Sequence, residues 1–145
     1  YGVLDFWING RFNKEKMKKV KSLLLVWMLG LVFLGCSDAN SQVNNLNLDG
    51  FVAKIKASPN AQLIDVRTPG EWAQGKIGSS KLISVADPSF LEQASKLDKN
   101  KPVFVYCAVG GRSSKASALL QQAGFKQVYN LSGAGYSGLA AKGVK

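Results

Sequence analysis

Apolar and polar positions divide this chain of 145 residues into a front part with one apolar block and a rear part of short alternating segments. Leu23 to Leu34 is an unbroken apolar run just after Lys18, Lys19 and Lys21. Farther on, Leu48, Phe51, Val52 and Ile55 recur at i, i+3, i+4 and i+7, which predicts an amphipathic helix. Ser58-Pro59-Asn60 breaks it. Gln62 to Val66 reads as a short strand, and Thr68-Pro69-Gly70-Glu71 as a capping box that opens a short helix through Trp72. Leu82 to Val85 is a weaker strand, and Asp87-Pro88 starts a helix with Phe90, Leu91, Ala94 and Leu97 on one face.

Val103-Phe104-Val105-Tyr106 is apolar without alternation, as in a strand covered on both faces of a parallel sheet. A glycine-containing loop, Cys107 to Arg112, leads into a helix from Ser113 to Ala123 that stops at Gly124. Val128 to Leu131 predicts one more strand, and Gly133 to Ala141 a final helix interrupted by glycine. Strands separated by helix-length segments imply βαβ units: an α/β fold with a central, mostly parallel sheet and helices on both faces.

The front part reads as an address. Met17-Lys18-Lys19-Val20-Lys21-Ser22, the apolar run and Gly35 have the layout of a secretory signal peptide over residues 17–35, and the run is too short for a membrane span. Residues 1–16 lie upstream of this credible start and read as a spurious extension. Phe33-Leu34-Gly35-Cys36 resembles the lipobox of bacterial lipoproteins, with Phe33 where Leu is usual. That resemblance implies lipid on Cys36, export, and membrane anchoring at the bacterial cell envelope. Residues 36–47 are polar and Asn-rich and read as the lipidated cysteine and its tether, leaving 48–145 as the domain.

Composition then limits the chemistry. With no histidine, Ser-His-Asp and Cys-His catalysis and H-E-x-x-H zinc sites are excluded. Two cysteines supply neither a zinc knuckle nor a multi-bridge disulfide framework. The net charge of +10 falls to +6 over residues 36–145, and the basic residues form no Arg-rich or aromatic-interleaved stripe. Nucleic acid is therefore not an expected partner.

A thiolate fits these limits. Cys107 stands at a strand end before Ala108-Val109-Gly110-Gly111-Arg112 and a helix, where unpaired N–H groups and the positive end of the helix dipole stabilise an anion. Gly110 and Gly111 allow consecutive N–H groups to turn inward, and Arg112 adds a fixed charge. Residues 108 to 113, Ser113 included, are the expected cradle. Asp65, Arg67 and Glu71 read as structural supports that cap and ion-pair around the preceding turn. Trp72, Tyr106 and Tyr136 read as core or pocket wall.

Several linked motifs from Leu48 to Lys145 resemble the single-domain rhodanese family. Asp65-Val66-Arg67 through Glu71-Trp72 is similar to its D-V-R-x-x-x-E-[FYW] stretch, and Val103 to Arg112 to its strand and six-residue active loop. Ala123-Gly124-Phe125 with Val128 to Gly133 is similar to its ending, while Lys76 stands where His is usual. The resemblance implies a three-layer rhodanese fold and a sulfurtransferase in which Cys107 carries a persulfide, with no metal or cofactor. Its partners would be a sulfane donor such as thiosulfate or a persulfide, and a thiol, cyanide or sulfur-carrier protein as acceptor. A cysteine phosphatase or arsenate reductase of the related fold uses a C-x5-R loop, one residue longer. A non-catalytic binding module is the other alternative.

Overall fold

The computed structural model describes residues 42–145. Five strands form one sheet: β1 (Val43–Leu46), β2 (Gln62–Asp65), β3 (Lys81–Leu82), β4 (Val103–Tyr106) and β5 (Val128–Leu131). Their order is β1-β5-β4-β2-β3, with every pairing parallel. The helices are α1 (Leu48–Lys56), α2 (Pro69–Ala73), α3 (Phe90–Ala94), α4 (Gly111–Gln122) and α5 (Tyr136–Ala141).

The period of two along β4 divides the core. Val103, Val105 and Cys107 face one side, where Ala116 and Leu120 of α4 and Phe90 and Ala94 of α3 cover them. Phe104 and Tyr106 face the other, among Phe51 and Val52 of α1 and Leu139 of α5. Phe104 meets Phe51 edge-on at 5.2 Å between centroids and stacks on Tyr129 at 4.7 Å. All four β4 residues are buried, as their unbroken apolar run requires. The result is the expected three-layer α/β architecture with a parallel sheet.

Four local expectations need correction. Val43 to Leu46, assigned to the tether, pairs with β5 from Val43↔Val128 to Leu46↔Leu131 and adds an edge strand, while Asn47 caps α1 by accepting the Gly50 N–H at 2.9 Å. Edge pairing with β5 stabilises a segment whose own composition does not demand a strand. The third strand is Lys81–Leu82, shifted toward the N-terminus, with Ile83 and Val85 N–H groups bonded to the carbonyls of Asp65 and Val66 beyond it. Leu91 is 45% exposed instead of facing the core, because α3 is only five residues long and buries Phe90 and Ala94. The final helix starts at Tyr136, after Gly133 and Gly135 have carried the chain across the end of β4. The expected signal peptide, Cys36 and the upstream extension lie outside the described residues.

Because every strand is parallel, the carboxyl ends of β2, β4 and β5 point the same way. Cys107 and the α2, α4 and α5 N-termini collect there, at the place where open α/β sheets bind ligands.

Candidate active site

Cys107 follows β4 directly and is 1% exposed. Gly110 takes a left-handed conformation at φ 108°, which turns the loop so that its own N–H points at Cys107 Sγ from 3.0 Å. A Cβ at Gly110 would also press toward the Gly133 N atom. α4 begins at Gly111, two residues earlier than the periodicity suggested, so Gly111 and Arg112 belong to its first turn. Burial pushes the Cys107 thiol pKa up, but hydrogen bonds from the Ser113 hydroxyl and from the N–H groups of Ser113, Gly110 and Val109 outweigh it, and the net direction is down.

Ser113 is fully buried, and its Oγ donates to Gly110 O at 2.9 Å, with Leu131 O farther off at 3.4 Å. A hydroxyl has one proton for these acceptors and for the sulfur, and an ionised sulfur competes most strongly for it. Val109 contributes through its backbone; its side chain is 77% exposed. The Ala108 backbone runs against Gly135, where a Cβ would overlap the Ala108 and Cys107 carbonyls. The Tyr136 N–H donates to Cys107 O at 2.9 Å, fixing the backbone of the cysteine itself.

Arg112 is not a free rim cation. Its two terminal nitrogens grip Glu71 in a bidentate pair, Nη1 to Oε2 at 2.6 Å and Nη2 to Oε1 at 2.7 Å. The same carboxylate accepts the Thr68 N–H at 3.0 Å and the Thr68 hydroxyl at 2.8 Å, so the capping box of α2 and the first turn of α4 share one anion. The Arg112 bonds, with help from Thr68, pull the Glu71 pKa down to about 2. Arg112 is raised in turn, mainly by Glu71 and to a lesser degree by the Cys107 sulfur.

Asp65 and Arg67 pair with each other and not with Glu71. Arg67 Nε lies 2.9 and 3.0 Å from the two Asp65 oxygens, and Nη2 lies 2.7 Å from Oδ2 and 2.8 Å from Gly75 O. The Tyr106 hydroxyl donates to Asp65 Oδ2 at 2.8 Å, and the guanidinium lies 4.1 Å over the Tyr136 ring. Gly75, at φ 143°, has no room for a Cβ against the Tyr136 hydroxyl.

The structure thus brings residues 107 to 113 together with Glu71, and sets Asp65 and Arg67 behind them against Tyr106 and Tyr136. Sequence reasoning missed Gly75, Gly135 and the backbone of Tyr136 as positioning elements. The available signal was the glycine spacing of Gly133-Ala134-Gly135 just after a strand.

Comparison with known proteins agrees with this geometry. A family model for the rhodanese-like domain matches residues 50–142. A sulfurtransferase of Allochromatium vinosum is 33% identical over 93 residues, covering 63% of this chain and 83% of the relative. A tRNA uridine(34) hydroxylase of Pelagibacter ubique is 31% identical over 123 residues, covering 84% of this chain but only 38% of that protein. The crystal structure of a rhodanese-like domain protein from Staphylococcus aureus aligns with a TM-score of 0.55 at 30% identity, covering 63% of this chain and 87% of that one.

Two outcomes follow from the electrostatics. Glu71 has a folded pKa below its ordinary 4.5, so its pairing contributes stability above that pH and loses it as pH falls toward about 2. The difference in urea midpoint between wild type and Glu71→Gln therefore shrinks over that window; a constant difference refutes the pairing as its source. Alkylation of Cys107 by iodoacetamide, followed at its own peptide, has a midpoint below that of an ordinary thiol, and Ser113→Ala moves it upward. An unmoved midpoint in Ser113→Ala would show that the hydroxyl does not stabilise the thiolate.

Proposed function

Because the chain belongs to the rhodanese-like domain family, we propose that it is a sulfurtransferase that carries sulfane sulfur on Cys107. The thiolate attacks the outer sulfur of thiosulfate or of a persulfide. As the new S–S bond forms the old one breaks, and sulfite or a thiolate leaves with its electron pair. An acceptor thiolate or cyanide then attacks the terminal sulfur of Cys107–S–S⁻, and the Cys107 thiolate is the leaving group. Atoms and electrons balance without a cofactor or a proton base, which accords with a chain that has no histidine.

The observation that carries this reading is the Gly110 N–H aimed at Sγ inside a loop of six residues from Cys107 to Arg112. Such a ring of preorganised donors suits one sulfur anion, whereas a phosphatase needs the wider C-x5-R ring for a tetrahedral oxyanion. Ala108, Val109, Gly110, Gly111, Arg112 and Ser113 form the substrate-binding cradle, and Asp65, Arg67 and Glu71 support it.

The donor class follows from charge. Ala108 and Val109 are uncharged, and the guanidinium of Arg112 is neutralised by Glu71. The mouth offers dipoles and little net positive charge, so dianionic thiosulfate gains less there than the persulfide of a small thiol or carrier protein. We infer in addition that lipid on Cys36 holds the domain at the cell envelope, outside the cytoplasm; the apolar run and the sequence before Cys36 support this.

Mass analysis of the chain after exposure to a sulfane donor is expected to show one added sulfur on Cys107, absent in Cys107→Ser; absence of an adduct with every donor refutes sulfur transfer. In steady state, kcat/KM for a low-molecular-weight persulfide exceeds that for thiosulfate by about tenfold or more, and comparable values refute the donor assignment. For the anchor, Cys36→Ala loses partitioning into a detergent phase, and unchanged partitioning counts against lipidation.

A further inference from the structure

A parallel sheet gives this domain two unlike poles. Cys107 marks the pole where the strands end, and there Asp65 neutralises Arg67 while Glu71 neutralises Arg112. At the pole where the strands begin, three segments meet: residues 54–61, from the last turn of α1 into the turn that follows it, 95–102 before β4, and 123–127 before β5. Hydrogen bonds fix them there. Gln62, at the start of β2, exchanges two with the Asp98 backbone, and the Lys126 N–H donates to Lys99 O at 3.0 Å.

These segments carry Lys54, Lys56, Lys96, Lys99, Lys101 and Lys126, all exposed, against the single carboxylate Asp98. Among the described residues Asp98 forms one ion pair, with Lys101 at 3.5 Å and both side chains in solvent, and its Oδ1 accepts the Asn100 N–H at 2.9 Å. The lysine scatter along the sequence becomes one charged face only after folding.

The register of β1 puts the chain's entry at the same pole. Val43, the first residue of β1, pairs with Val128, the first of β5. Cys36 is seven residues upstream of Val43, a span of at most about 25 Å when fully extended.

We propose that this lysine pole docks on the anionic headgroups of the bilayer to which Cys36 is tethered, with Cys107 turned to the far side. The orientation rests on the anchoring reading above; the charge of the pole does not. Lipid anchor and basic face act as two signals on one surface, the tether supplying proximity and the lysines supplying attraction. A sulfur carrier in solution then meets an unobstructed Cys107 pole.

The test uses the full lipid-modified chain with phosphatidylcholine vesicles, with and without phosphatidylglycerol. Flotation reads the anchor, and amine acylation mapped by mass spectrometry reads the pole, with exposed Lys76 and Lys115 as references. The expected result is flotation with both vesicle types, and labelling of the six lysines reduced about threefold or more relative to the references on anionic vesicles only. Protection disappears at about 1 M salt, where the screening length is near 3 Å.

Flotation on both with no selective protection overturns the docking proposal and leaves the anchor standing. Failure to float on neutral vesicles overturns the anchor; pole protection on anionic vesicles would then still support docking, and its absence would overturn both. Stronger protection of the same lysines by single-stranded RNA than by anionic vesicles assigns the face to nucleic acid and overturns the membrane proposal. The quadruple variant Lys54→Glu, Lys56→Glu, Lys99→Glu, Lys126→Glu should abolish the protection of Lys96 and Lys101; if they stay protected, the charge of the pole is not what docks it.

Discussion

The buried pair of Asp65 and Arg67 is the contact on which the rest of the site is built. Asp65 is fully buried at the end of β2 and Arg67 nearly so, and breaking such a pair by removing one partner leaves an uncompensated charge at a cost of about 3–5 kcal/mol. Further hydrogen bonds reach both ions: Tyr106 donates to the carboxylate, and Gly75 O accepts from the guanidinium. The flat face of Arg67 then supports the Tyr136 ring, and the N–H of that tyrosine holds the carbonyl of Cys107. One ion pair at the end of β2 therefore helps to locate the backbone of Cys107, just past the end of β4.

The second ion pair acts at a different level. Glu71 joins α2 to α4 through Thr68 and Arg112, so the walls on either side of the cysteine loop are tied by a single carboxylate. What remains to stabilise the sulfur anion is mostly oriented N–H and O–H dipoles. Dipoles fixed in a buried site need no reorganisation when charge develops, and they are screened far less by salt than surface charges are. Among the described residues, six exposed lysines lie at the opposite pole, away from Cys107.

Most of the architecture was legible in the sequence because the elements that make it are strongly patterned. The unbroken run of β4, the helix period of α1 and the Thr68 to Glu71 cap each state their environment locally. β1 does not: Val43-Asn44-Asn45-Leu46 looks like linker, and it is the ladder with β5 that makes it a strand. Leu91 misled because the expected face assumed a longer helix than α3 supports. At the site, the Cys107 loop and the Asp65 to Arg67 turn were readable, since their partners are near in sequence. The grip of Arg112 on Glu71 spans 41 positions, and the demand for glycine at 75 and 135 comes from a distant tyrosine and a distant loop. Such constraints exist only once the sheet has brought the strand ends together.

The depth of Cys107 has a further consequence. A sulfur that is 1% exposed offers almost no cross-section to a passing molecule, so its reactivity is limited by line of approach and not by thiolate character alone. A broad disulfide meets the loop before it meets the sulfur. A terminal sulfur projecting from a thin stem reaches farther in. Concealment thus sorts reagents by the shape of the atom they present, and it leaves a thiol whose pKa is lowered by its hydrogen bonds kinetically quiet among molecules that could otherwise form a mixed disulfide with it.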